Sequence, residues 1–219
     1  MSATAFSTDY PPFLQTTARA DAFLGSPRTR TARGPVVEFV VGDVTREVSD
    51  AIVNPAGAGM VDLAIRRAAG PELLEAFHEG ALKLPTGKLT PGHAISTPGF
   101  DLAARRVIHV DPPVYADGPV AAAKNLASAH TEALRLAWDH RLSSISFPAI
   151  GTGIRRYPPA LAAKVAVGTV VTELRAQAIP LAVRFVLFTP AMLELYAGAA
   201  RAHFPEAPTR TERGVAFSR

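Results

Sequence analysis

Short apolar, β-branched runs alternate along this chain with longer Ala- and Leu-rich stretches, and that alternation predicts its elements. Strands are expected at Val36 to Val41, Ala51 to Asn54, His93 to Thr97, Arg106 to Val110, Ser144 to Pro148 and Val183 to Phe188. Most of these runs are apolar almost throughout, which fits strands covered on both faces better than a half-exposed antiparallel sheet. Helices are expected near Val61 to Glu79, Pro119 to His140, Pro158 to Ala178 and Ala191 to His203, with Pro158 or Pro159 acceptable in a first turn. In the third of these, Leu161, Val165, Val167, Val171 and Leu174 are candidates for the buried stripe. Strands alternating with helices predict an α/β fold with a mainly parallel sheet and helices on both faces. In such sheets ligands bind where the loops leave the carboxyl ends of the strands.

The two ends of the chain break this rhythm. Residues 1–34 mix Ser, Thr, Pro, Ala and Arg without a sustained period and read as an N-terminal extension, although Phe6, Tyr10, Phe13, Phe23 and Leu24 are enough apolar surface to dock on the domain. Residues 205–219 read as a turn-rich, charged tail, which leaves 35–204 as one domain. A length of 219 residues with 48% hydrophobic and 19% charged residues suits that division and is long enough to bury a core. No cysteine is present, so disulfides, thiolate metal sites and cysteine nucleophiles are excluded. The start lacks the basic region and apolar run of a secretory signal, and no stretch stays apolar long enough to cross a bilayer. A cytoplasmic protein with no membrane partner is expected. The net charge of +4 raises a nucleic-acid reading, but much of the excess sits in Arg28, Arg30, Arg33, Arg210, Arg213 and Arg219 at the ends, where basic residues are usually solvated.

Three strand-end loops carry candidate chemistry. Phe147-Pro148-Ala149-Ile150-Gly151-Thr152-Gly153-Ile154-Arg155-Arg156-Tyr157 is a buried strand breaking into glycines before a helix. Glycines let backbone N–H groups converge on an anion and the following helix adds its positive end; a tight turn alone would look similar. Gly42-Asp43-Val44-Thr45 puts a carboxylate where it can accept from an exocyclic amine, or merely cap a turn. Asn54-Pro55-Ala56-Gly57-Ala58-Gly59-Met60-Val61-Asp62 passes from a strand through small residues into an amphipathic helix; a carboxamide with backbone amides can hold ribose and phosphate there, or the loop is small for close packing. His78, His93, His109, His130, His140 and His203 show no convincing metal-ligand spacing, and neither a metal nor a cofactor is expected.

Taken in order, these pieces, with Val61-Asp62-Leu63-Ala64-Ile65, Arg67-Ala68-Ala69-Gly70-Pro71-Glu72-Leu73, Thr97-Pro98-Gly99-Phe100-Asp101-Leu102 and Arg106-Val107-Ile108-His109, resemble the macrodomain family from about Val36 to Phe204. The resemblance implies a three-layer α/β/α fold with a mostly parallel mixed central sheet that binds ADP-ribose, free or carried by a macromolecule, across the strand ends. It implies that Asp43 accepts from the adenine amine, Val44 lines the base pocket and Phe188 lies against adenine. It places Gly151, Thr152, Gly153 and Ile154 around the diphosphate, and Arg155 where the family often has an aromatic near the distal ribose. Arg155 or Arg156 can add a charge-assisted contact to phosphate. Asn54, Gly57, Gly59 and Val61 would line the first loop.

The resemblance is to members that hydrolyse ADP-ribosyl linkages, glycosidic or ester, and departures fall where that chemistry sits. The first loop is short: Asn54 matches the first asparagine of the family's Asn-Ala-Ala-Asn, Gly57 stands where the second would fall, and the glycine run is reduced to Ala58-Gly59-Met60. Asp62 matches the aspartate of Val-Asp-Gly and can position water or a ribose hydroxyl, or serve the helix start as a cap or charge. Asp111, in His109-Val110-Asp111-Pro112-Pro113, replaces a small or apolar residue and is the second candidate carboxylate. His109 reads as a structural strand residue. A reader without catalysis, and an oligonucleotide-binding module using the basic tails, are the competing readings.

Overall fold

The computed structural model describes residues 36–217 except 58, 92, 178, 205, 207 and 212. The aromatics expected to dock from the N-terminal extension lie outside the described residues.

Eight strands form one sheet. β1 (Val37–Val41), β2 (Ala51–Pro55), β4 (Arg106–Val110), β5 (Ser144–Phe147) and β6 (Ala182–Leu187) run parallel as its centre. β3 (Ala94–Pro98) pairs antiparallel with β4, and β8 (Gly214–Phe217) pairs antiparallel with β1 and carries β7 (Thr209–Thr211) at the other edge, giving the order β3-β4-β2-β5-β6-β1-β8-β7. The five central strands are the runs that the sequence marks as apolar. Both faces of these strands are buried because helices cover both.

Alternate residues of each strand feed two cores. Phe39, Val53, Ile108, Phe147 and Phe185 point into the larger core, under α3 (Pro119–Asp139), α4 (Pro159–Ala176) and α5 (Pro190–Ala200). Val40, Ile52, Val107 and Val186 point the other way, toward Ile65 and Ala69 of α1 (Met60–Ala69) and Leu73 of α2 (Glu72–Leu82). This is the three-layer arrangement expected.

Three details correct the sequence reading. The helix expected over 61–79 is two helices, because Gly70 adopts φ 89° and Pro71 removes the N–H that would continue the ladder. On α4 the buried stripe runs through Ala162, Ala163, Ala166, Val167, Val170, Val171 and Leu174, with Val165 only partly covered and Leu161 exposed. Small alanines, not Leu161, face inward, so the helix approaches the sheet closely. Residues 205–219 were expected to lie outside the domain. Instead Phe217 is buried against Phe39 and Phe204, and Arg213 pairs with Glu47 at 2.7 Å.

That ion pair belongs to a buried charge cluster near the amino ends of the central strands. Register sets Glu38 of β1 beside Arg184 of β6. Arg184 donates Nε–H to Glu38 and Nη1–H to Glu47, both at 2.7 Å, while Arg213 holds the other Glu47 oxygen. Glu38, Glu47 and Arg184 are all buried.

Candidate functional site

The parallel strands end together, so the loops after β1, β2, β4, β5 and β6 share one edge. Within that edge, β1 and β6 are neighbours, and Val41 pairs with Leu187. Asp43 and Phe188 therefore stand side by side at one end. Asp43 opens a single 3₁₀ turn, Val44–Arg46, and its Oδ1 accepts from the Thr45 N–H at 2.9 Å and the Thr45 hydroxyl at 2.8 Å. Its Oδ2 takes no hydrogen bond from the described residues. Val44 is buried against the smaller core, whereas Phe188 is 57% exposed.

The loop after β5 is a tight glycine turn. Gly151 has φ 81°, a conformation L side chains rarely adopt, and a Cβ on it would come within 3.1 Å of Pro113. The Tyr157 N–H closes the turn on the Gly151 carbonyl at 3.0 Å, and the Arg156 N–H on that of Gly153 at 2.9 Å. Thr152 spends its hydroxyl on the Ala149 carbonyl at 3.0 Å. Among the described residues, none accepts from the N–H groups of Thr152, Gly153 and Ile154. Gly153 has open space where a Cβ would stand, and Ile154 is exposed.

The loop after β2 lies alongside. A Cβ on Gly57, φ 139°, would be 3.4 Å from an Arg155 guanidinium nitrogen, so the two loops meet there. Gly59 precedes α1 with no side-chain cap, Val61 is half-buried and Met60 exposed. The first-turn N–H groups of α1 thus have no side chain closing them, and they sit at the positive end of the helix.

Below this loop the sequence-predicted residues form a buried polar chain. Asn54 on β2 pairs in register with His109 on β4. The Asn54 carboxamide nitrogen donates to Asp62 Oδ1 at 2.8 Å and meets His109 Nδ1 at 3.1 Å. With both amide hydrogens so used, His109 Nδ1 is an acceptor and its proton sits on Nε2, which reaches the Thr97 hydroxyl at 3.0 Å. Asp62 Oδ2 lies 3.0 Å from Arg66 in an ion pair whose angle does not make a hydrogen bond. Asp62 is fully buried because 62, 65 and 69 share the inward stripe of α1.

This corrects two expectations. Asp62 does not cap the helix; buried in its first turn, where a negative charge is favourable, it orients Asn54. Asn54 in turn is buried, and its Oδ1 is one of the buried side-chain atoms without a hydrogen-bond partner among the described residues. His109 read only as a strand residue, yet it fixes the Asn54 carboxamide from the opposite side. No local spacing signals that role, since it follows from the pairing of two strands far apart in sequence.

Burial lowers His109 to about 3, with the Arg66 guanidinium adding to the shift, and burial lowers His130 to about 4 although its bond to the Leu126 carbonyl opposes this. Both rings are therefore neutral when folded. The unfolded chain binds the extra protons, so the stability they confer is complete above about pH 6.5 and is lost as the pH falls toward their folded values. Urea unfolding should show roughly 2 kcal/mol lost per histidine between about pH 8 and about pH 5. His130→Phe should remove about half of that slope; an unchanged slope would contradict the assignment.

Asp111 follows β4 at the far end of the edge. It is half-buried; burial raises its carboxyl above the usual range, against the pull of Arg155. Arg155 carries the junction: its carbonyl accepts from the Tyr115 N–H at 3.3 Å, and its side chain reaches the Gly57 loop. A cleft along this edge, about 420 Å³, is lined by Val114, Tyr115, Ala116, Ile154, Arg155 and Arg156. It does not extend to Asp43 or Phe188. Among the described residues no group of three or more His, Asp or Glu side chains is placed to hold a metal ion, and no helix is long and apolar enough to cross a membrane.

The family model described as Macro domain matches residues 53–166. The O-acetyl-ADP-ribose deacetylase of Enterobacter sp. (strain 638) is 42% identical over 167 residues, covering 74% of this chain and 92% of that protein. The Oceanobacillus iheyensis macrodomain with ADP superposes with a TM-score of 0.71 at 39% identity, covering 76% of this chain and 90% of that one. The Trypanosoma brucei macrodomain in complex with ADP gives 0.66 at 31% identity, over 75% and 68% of the two chains.

Proposed function

The chain belongs to the macrodomain family, and from that premise we propose that its strand-end loops bind ADP-ribose, free or attached to a macromolecule, and that it hydrolyses ADP-ribosyl esters. The observation that carries the binding is that the N–H groups of Thr152, Gly153 and Ile154 have no acceptor among the described residues, next to the uncapped start of α1. Main-chain donors left open near a helix start favour a pyrophosphate, since the helix end adds partial positive charge. Asp43 Oδ2 supplies an acceptor for the adenine amine, and Phe188, at the neighbouring strand end, supplies an aromatic side chain for the base. With the base at β1 and β6 and the diphosphate at β5 and β2, the distal ribose falls toward β4, beside Arg155 and Asp111.

Hydrolysis of an ester there adds water to the acyl carbon and frees the ribose hydroxyl. It requires an oriented ribose and a positioned water. Asn54, held by Asp62 and His109, is pre-set beneath the loop, and Asp111 is the candidate carboxylate at the loop level. A binding-only reader is the second reading, favoured by one observation: Asp62 is inaccessible and already paired.

Calorimetric titration with ADP-ribose, AMP and adenosine tests the binding. ADP-ribose should bind most tightly, and Asp43→Ala should weaken ADP-ribose and AMP alike by about 1–3 kcal/mol, the worth of a hydrogen bond to a charged group. No heat at millimolar ADP-ribose would remove the proposal. Release of acetate from O-acetyl-ADP-ribose then separates the readings: turnover that Asp111→Asn slows supports the esterase, and no turnover with intact binding leaves the reader.

A further inference from the structure

Strand order decides what lies at each end of the edge. From β1 and β6, with Asp43 and Phe188, it runs through β5 and β2 to β4. The cleft between the loops after β4 and β5 therefore begins at Ile154, the last of the diphosphate donors, and lies toward the end opposite Phe188. Its two walls are tied together by the Tyr115 N–H to Arg155 carbonyl bond and by contact of the Tyr115 and Tyr157 rings, 5.0 Å between centroids.

The lining is apolar in Val114, Ala116 and Ile154 and cationic in Arg155 and Arg156. Arg155 shares its charge with Asp111. Arg156 is exposed, has no ion-pair partner among the described residues, and adopts φ 56°. A side chain other than glycine held in the left-handed region costs on the order of 1 kcal/mol, and such strain is found where the residue has work to do.

We propose that this cleft receives the group carried on the distal ribose and prefers an acyl group that ends in a second carboxylate over a neutral acyl group of the same length. The inference rests on the reading that ADP-ribose occupies the strand-end loops. Three features select this ligand. A volume of about 420 Å³ leaves room for an acyl chain and its terminal carboxylate. The apolar lining suits methylenes, and planar guanidinium groups match a carboxylate in two-point contact. The two guanidinium groups, one of them near Asp111, make a local positive patch and not the extended positive surface that a nucleic-acid backbone needs.

The test uses ADP-ribose bearing acetyl, butyryl or succinyl groups joined through an amide to the distal ribose, so that nothing turns over. Calorimetry should find the succinyl analogue about tenfold tighter than the butyryl one, a difference of about 1.4 kcal/mol. The preference should shrink as salt is raised. In Arg155→Ala/Arg156→Ala the two analogues should bind equally, the ratio within each protein serving as its own control. Equal binding by the wild type, a preference that survives in the double variant, or a larger gain for an ADP-ribosylated oligonucleotide would overturn the proposal. Plain ADP-ribose is titrated alongside: if it binds and no succinyl preference appears, this inference alone falls, and if it does not bind, the premise falls with it.

Discussion

Arg184→Met should unfold about 10 °C below the wild type while keeping the same fold. Arg184 is the shared partner of two buried carboxylates, Glu38 and Glu47. Removing it leaves both without that partner in a place water does not reach, and breaking a buried pair on one side costs about 3–5 kcal/mol. In a domain of this size each kcal/mol shifts the midpoint by roughly 2–4 °C. The penalty belongs to the abandoned carboxylates more than to the lost attraction. Accordingly, Glu38→Leu/Arg184→Met/Glu47→Leu should be more stable than Arg184→Met alone. Calorimetric scans of the three proteins check this, and a single variant within 1 °C of wild type would refute it.

Gly153→Val should leave stability within about 0.5 kcal/mol of wild type, as surface changes usually do, and weaken ADP-ribose by about a hundredfold or more. Gly153 is the suitable position because open space surrounds its missing Cβ. Gly151 would not discriminate: its positive φ and the nearness of Pro113 make any side chain there a folding defect as well. A branched side chain at 153 would occupy the approach to the N–H groups of Thr152, Gly153 and Ile154 without disturbing the turn bonds from Arg156 and Tyr157. Denaturation midpoint and affinity must therefore separate. Unchanged affinity would show that the diphosphate does not pass this loop.

What could be read from sequence follows from which interactions are local. The apolar runs at 37–41, 51–55, 106–110 and 182–187 are strands because each residue reports burial on its own. The break at Gly70-Pro71 was also readable, since that dipeptide is a turn signal that should have outweighed the helical period on either side. β8 was hidden because Gly214-Val215-Ala216-Phe217 is too short a run to stand out, and its burial depends on pairing with β1, which begins far away in the chain. Glu38 and Arg184 are single charges in otherwise apolar strands, and only the parallel register joins them. The loops were legible as glycine-rich strand ends. The inward turn of Asp62 was not: residue type marked it as chemistry, while its place on the stripe with Ile65 and Ala69 makes it part of the buried support for Asn54.

A crystal structure with ADP-ribose tests the central claim most directly. The account predicts the pyrophosphate against the main chain of 152–154 and the start of α1, adenine between Asp43 and Phe188, and the distal ribose toward Arg155 and the β4 loop. ADP-ribose lying elsewhere, or the Gly57 turn filling the place assigned to the pyrophosphate while nucleotide is present, would contradict it.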